Sequence, residues 1–231
     1  MSLAALSPGE WQVVALTVRI AAVAVIVSLP VAVAVAWVLS YTRFPGRIFI
    51  EALVNLPLVL PPVVTGYALL ILLGRHGWAG QFLDREFGIV FAFRWTGAAI
   101  AAAVMGFPFM VRGIRLSFDA IDRDLEAAAR SLGAPGWLTF LTVTLPLALP
   151  GLLSGAVLAF GRSLGEFGAT ITFVSSIPGE TRTIASMIYA LLQTPDGDAA
   201  VVRLCVISVA LSFLSLIASE LLIRAGRRRL S

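Results

Sequence analysis

The 231-residue chain has no lysine, one cysteine and one histidine, and each shortage removes a class of function. Without lysine there can be no phosphate-binding loop of the G-x-x-x-x-G-K-[ST] type, so any ATP-driven step belongs to a partner chain. Cys205 has no intrachain disulfide partner, and its place in an apolar run predicts that it is buried. His76 stands far from Cys205 and follows Gly74 and Arg75, which reads as a solvated loop residue rather than a metal ligand or a catalyst. Charge is also scarce, at 13% of residues, where a soluble domain carries about 25%. What fills the chain instead is apolar: 59% of residues, with a mean hydropathy of +0.95. A water-surrounded domain of this size needs a charged skin, so a soluble domain, a disordered chain and a secreted disulfide scaffold are excluded. The net charge of +4 is too small and too scattered for a nucleic-acid footprint, and no nucleic-acid partner is expected.

The apolar residues fall in long runs. The first, Val13 to Leu39, exceeds the roughly 20 residues that cross a bilayer and is far longer than a signal-peptide core, so a retained, tilted or kinked span is expected. The second, Ile50 to Leu73, contains Asn55, Pro57, Pro61, Pro62, Thr65 and Gly66. Prolines at membrane depth require neighbours that satisfy the freed carbonyls, so this run reads as a broken or bent helix lining a protein interior; Asn55, Pro57, Pro61, Pro62 and Thr65 are candidates for a pore or gate. The third run, Trp95 to Val111, is rich in alanine and glycine, which permits close helix contact. The fourth is Leu141 to Phe160 and the last Ala199 to Ile223. Between them, residues 161–198 offer two short apolar pieces, suited to a re-entrant or packed interior helix. An all-α membrane protein with about five spans plus such a piece follows, with six spans as the alternative. There is no long-period repeat and no linker, so residues 1–231 read as a single transmembrane domain.

Arginines orient the bundle. They concentrate in the link after the first run (Arg43, Arg47), in the hydrophilic stretch 112–139 (Arg112, Arg115, Arg123, Arg130) and in the tail (Arg224, Arg227, Arg228, Arg229). The three share one side only with five crossings, and the positive-inside rule then places them in the cytoplasm, with the N-terminus outside.

The stretch from Ser117 to Gly151 is the most informative. Acids at Asp119, Asp122 and Asp124 suit a helix N-terminus, good helix formers follow, and Gly133 then Pro135 end the helix, giving an expected cytoplasmic helix from about Asp119 to Leu132. Leu125, Ala128, Ala129 and Leu132 recur at helical spacing, which suits either a docking face or an amphipathic connector that seats its own bundle. The segment resembles the "EAA loop" of the membrane subunits of bacterial ABC importers: Glu126, Ala128, Ala129, Gly133, Val143, Leu145 and Pro146 match, with Ala127 inserted as in the sulfate/molybdate branch. The resemblance implies a type I ABC importer permease fold, and residues 112–139 as the coupling loop that inserts into a groove of a cytoplasmic ATPase dimer. It implies polar contacts from Glu126 in that groove, close approach at the alanines and a turn at Gly133.

A second match runs from Gly161 to Ala200. Arg162 and Glu166 sit four apart at membrane depth, where charges are expensive unless paired, and a structural ion pair is the reading from chemistry. The segment is similar to the molybdate permeases, with Thr181-Arg182-Thr183 and the stretch after it leaning towards molybdate, and tungstate as co-substrate; a sulfate/thiosulfate permease is the alternative. The resemblance implies a second copy of the chain, the ATPase dimer, a periplasmic or extracellular molybdate-binding protein and membrane lipid as partners. It also implies a place in the bacterial cytoplasmic (inner) membrane, no cofactor on this chain, and ATP and Mg on the ATPase. A secondary transporter would show a repeat, and an intramembrane enzyme a convergent catalytic set; neither is visible.

Overall fold

A computed structural model describes residues 6–195 and 197–230, with side chains as far as Arg224. The side chains of Arg227, Arg228 and Arg229, on which part of the orientation argument rests, lie outside the described residues. Every regular element described is helical. Four helices are long and apolar enough to cross a membrane: α1 (Pro8–Tyr41), α5 (Trp95–Asp119), the rod Gly136–Leu164 and α11 (Asp198–Leu230). A further apolar pair, α2 (Arg47–Val59) and α3 (Pro62–Leu73), bends by 114° and makes either a fifth, broken crossing or a re-entrant loop. The shorter pieces are α4 (Trp78–Phe87), α6 (Arg123–Ser131), α9 (Gly168–Val174) and α10 (Ile184–Leu191). The rod comprises α7 (Gly136–Thr139), a π-helical turn (Phe140–Thr144) and α8 (Leu145–Leu164).

Local chemistry explains the ends and breaks. α1 starts in a capping box: Ser7 Oγ accepts from the Glu10 N–H and Glu10 Oε2 accepts from the Ser7 N–H, with Pro8 in the first turn. The bent pair breaks at Leu60, because Pro61 and Pro62 have no N–H to continue the ladder; Pro61 is the N-cap of the next helix and Pro62 its first residue. The π turn precedes Pro146; the Leu145 N–H reaches back five residues to Phe140. The third apolar run ends at Val111, yet α5 continues to Asp119, with Arg112 exposed but hydrogen-bonded to α2 and Arg115 half-buried in an ion pair with it. Arg112 Nε donates to Asn55 Oδ1 at 2.9 Å, and Arg115 Nη1 lies 2.9 Å from Glu51. The hydrophilic stretch thus begins with two helical turns of a span.

Packing relies on small residues. Ala21, Ala24, Ala32 and Ala36 of α1 and Ala98, Ala101 and Ala102 of α5 are fully buried. Where α5 crosses α8, a Cβ on Gly113 would fall 2.9 Å from the Gly155 Cα, and one on Gly151 would fall 1.8 Å from Ser117 Oγ. Membrane helices lack a hydrophobic drive to associate and depend on such close approach. Cys205 is exposed, contrary to the expectation from its apolar run. In a spanning helix an apolar face turns to lipid as readily as to protein, and only 11% of the most apolar stretch of α11 is buried.

One end of the bundle is basic. Arg47, Glu51 and Arg115 join the starts and ends of α2 and α5 there, and Tyr41 at the end of α1 meets Glu126 of α6. At the opposite end Glu10 of α1 accepts from Arg203 of α11 at 2.8 Å, and Arg19 covers the Trp95 ring at 4.0 Å.

Candidate functional site: the α6 segment and the broken crossing

α6 is shorter than the sequence suggests, because Asp119 ends α5 and residues 120–122 turn the chain between the two helices. Asp122 caps it, with Oδ1 accepting from the Asp124 N–H at 2.9 Å. Gly133 ends it at φ +90°, and the chain reverses through Ala134 N–H to Ala129 O and Gly133 N–H to Arg130 O. That is a Schellman closure; space is open around Gly133, so its conformation alone requires glycine.

The nine residues of α6 turn separate faces to separate neighbours. Leu125 and Ala128 are exposed and Leu132 just beyond is 88% exposed, forming with exposed Trp137 an apolar surface at the basic end. Ala129 is half-buried, so of the two alanines only Ala128 stands clear of the bundle. Glu126 points the other way and is 5% exposed. Its Oε1 accepts from Tyr41 Oη at 2.5 Å and Thr144 Oγ1 at 2.6 Å, and Arg123 lies 3.6 Å from Oε2. All of these partners belong to the same chain. Burial opposes its charge, but the hydrogen bonds from Thr144 and Tyr41 and the nearby Arg123 and Arg130 outweigh that and hold its pKa below the usual carboxylate value. Glu126 therefore fastens α6 to the end of α1 and to the π turn, immediately before Leu145 and Pro146.

The candidate gate residues divide. Asn55 is bound to α5 through Arg112 and donates to Glu51 O. Pro57 and Pro62 are half-buried and Pro61 is exposed at the break. Thr65 is buried, its hydroxyl without a hydrogen-bond partner. Next to it Gly66 meets α9 so closely that a Cβ would fall 2.5 Å from the Ala169 carbonyl oxygen; a Cβ on Gly168 would meet Pro62 at 2.7 Å. The broken crossing thus rests on the segment that follows Glu166. There Arg162 Nη1 lies 2.7 Å from Glu166 Oε2, a charge contact out of line for a hydrogen bond. Glu166 Oε1 accepts from the Ala169 N–H at 2.9 Å, starting α9.

Sequence reasoning did not assign Thr181 and Thr183 a physical task. Thr181 is fully buried and closes the turn after α9, accepting from the Ile177 N–H at 2.8 Å; Thr183 caps α10 in a box with Ser186. Their spacing before an apolar octet was the available signal. No group of three or more metal-ligating side chains occurs among the described residues.

Residues 28–228 match the model of the family described as binding-protein-dependent transport system inner membrane component. The chain is 56% identical over 224 residues to the molybdenum transport system permease protein ModB of Escherichia coli K12, covering 97% of this chain and 98% of that one. Against the sulfate transport system permease protein CysT of the same organism it is 39% identical over 193 residues, 84% of this chain and 69% of that one. Among solved structures it is similar to a chain of the inward-facing MetNI methionine ABC transporter, with a TM-score of 0.72, 20% identity and coverage of 96% and 99%.

Proposed function

The chain belongs to the family of binding-protein-dependent transport system inner membrane components, and from that premise we propose that it is the permease subunit of an ATP-driven molybdate importer. The observation that carries the substrate is the near full-length similarity to a molybdenum permease, 56% against 39% for a sulfate permease. Two copies enclose the path, with the broken crossing α2–α3 facing its symmetry mate. The basic end faces the cytoplasm, in keeping with Arg43, Arg47, Arg112, Arg115, Arg123 and Arg130 gathered there, and the N-terminus lies outside.

α6 is the coupling helix within residues 112–139. Its exposed face at Leu125, Ala128 and Leu132 seats in the cytoplasmic ATPase dimer, and Gly133 with Leu145 and Pro146 sets its angle to α8. ATP and Mg act on that dimer, and a molybdate-binding protein delivers the anion on the other side. When nucleotide closes the ATPase, the pull on α6 passes through the Glu126 carboxylate to α1 and to the π turn at the start of α8. α5 and α8, locked at Gly113 and Gly155, then move together and change which side of the α2–α3 break is open. The Arg162–Glu166 pair holds α8 to the segment on which α3 rests.

The test is uptake into sealed vesicles carrying the permease, its ATPase and the binding protein. ATP-dependent molybdate accumulation that a large excess of sulfate leaves in place is the expected result. Sulfate accumulation with no molybdate uptake would keep the mechanism and reverse the substrate.

A further inference from the structure

Between the last turn of α1 and α6 lies an open cleft of about 550 Å³. Arg43, Arg123 and Arg130 line it, together with Ser40, Trp37 and the edge of Glu126. The one carboxylate is already engaged by Tyr41, Thr144 and Arg123. Arg43 and Arg130 have no ion-pair partner among the described residues, and Ser40 Oγ is buried without a hydrogen-bond partner. Two guanidiniums without an ion-pair partner and a third stacked at 3.7 Å over the Tyr41 ring make a site for a tetrahedral oxyanion, since guanidinium forks match phosphate geometry.

We propose that this cleft binds the phosphate of an anionic phospholipid headgroup, tying the coupling helix to the membrane surface. The source of the phosphate is argued from depth. α1 leaves its apolar run here, Trp37 is 39% exposed and stacks on Tyr41 at 5.8 Å, and Arg43 follows immediately. An aromatic at the edge of a span followed by arginines is the pattern of the membrane–water interface, and basic pockets on the cytoplasmic side take anionic headgroups. Arg123, Ala127 and Arg130 recur at helical spacing on the cleft side of α6, opposite Leu125, Ala128 and Leu132. A headgroup in the cleft and an ATPase on the apolar face therefore occupy the helix together. The choice of leaflet rests on the orientation proposed above; the anion chemistry does not.

The experiment is native mass spectrometry of the intact permease–ATPase complex titrated with phosphatidylglycerol or phosphatidylcholine. Wild type should retain phosphatidylglycerol in preference to phosphatidylcholine. Each basic residue near an anionic surface contributes about fivefold in affinity, so Arg43→Gln with Arg130→Gln should weaken retention roughly 25-fold. Arg43→Lys with Arg130→Lys keeps both charges but not the fork and should retain the lipid better than the glutamine pair and less well than wild type, which separates a lost site from a misfolded one. Equal retention by the wild type and the double glutamine variant would overturn the site. Inorganic phosphate and molybdate form the second arm: arginine-dependent binding of either, without preference between the lipids, would overturn the lipid source. A glutamine variant that sheds the ATPase yet keeps its phosphatidylglycerol would show the cleft to be a protein interface, and would also overturn it. Because the readout is bound lipid, a wrong transport substrate leaves the result unaffected.

Discussion

Glu126 shows how a motif residue and its neighbours divide their work. The motif identifies it and the helical spacing places it off the Leu125–Leu132 face, but its partners Tyr41 and Thr144 are 85 and 18 residues away, beyond any local pattern. Replacing it with glutamine removes a buried charge-assisted contact worth about 1.5–3 kcal/mol, which loosens α6 without unfolding the spans. Limited trypsin digestion should then cut faster after Arg123 and Arg130. The same readout tests pH. A carboxylate held below its ordinary value stabilises the attachment at every pH above the unfolded value, and that contribution is lost as pH falls through the lowered folded value. Cutting by an acid-tolerant protease should therefore rise towards low pH in wild type and be flatter in Glu126→Gln. The Arg162–Glu166 pair, legible from its spacing, follows a different rule. Glu166 is 3% exposed, so Arg162→Leu alone leaves a buried charge unpaired at a cost of about 3–5 kcal/mol, and the double leucine variant should give more folded protein than Arg162→Leu alone. Additive losses in folded yield would show the two residues to be uncoupled.

At the scale of elements, the spans and the break at Pro61 and Pro62 are legible because proline and apolar length act locally. Two boundaries are not. α5 overruns its apolar run where Asn55 and Glu51, on another helix, meet its arginines: Asn55 accepts a hydrogen bond from Arg112 and Glu51 pairs with Arg115. Cys205 turns outward because an apolar run does not distinguish lipid from protein. The α5–α8 crossing is the most sensitive packing element: Gly113→Leu should lower folded yield severely, since overpacking commonly costs about 1–3 kcal/mol and here the obstacle is backbone. Size-exclusion recovery in detergent checks it, with Gly88→Ala as a contrast at a loop end where space is open but φ is +65°.

For the whole molecule, the sequence supports an importer subunit through a loop motif and a full-length resemblance, and the fold adds which surface of the loop is free. The apolar face of α6 at Leu125, Ala128 and Leu132 is exposed, and of the paired alanines only Ala128 lies on it clear of the bundle. The central claim is that this face docks the ATPase that drives transport. The direct measurement is co-purification of the ATPase with Ala128→Trp permease from membranes, with vesicle uptake of molybdate alongside. The account predicts normal insertion, affinity for the ATPase reduced roughly 5- to 150-fold, the range for about 1–3 kcal/mol of interface overpacking, with ATPase recovery and uptake falling accordingly. Wild-type recovery of the ATPase and wild-type uptake in that variant would contradict it.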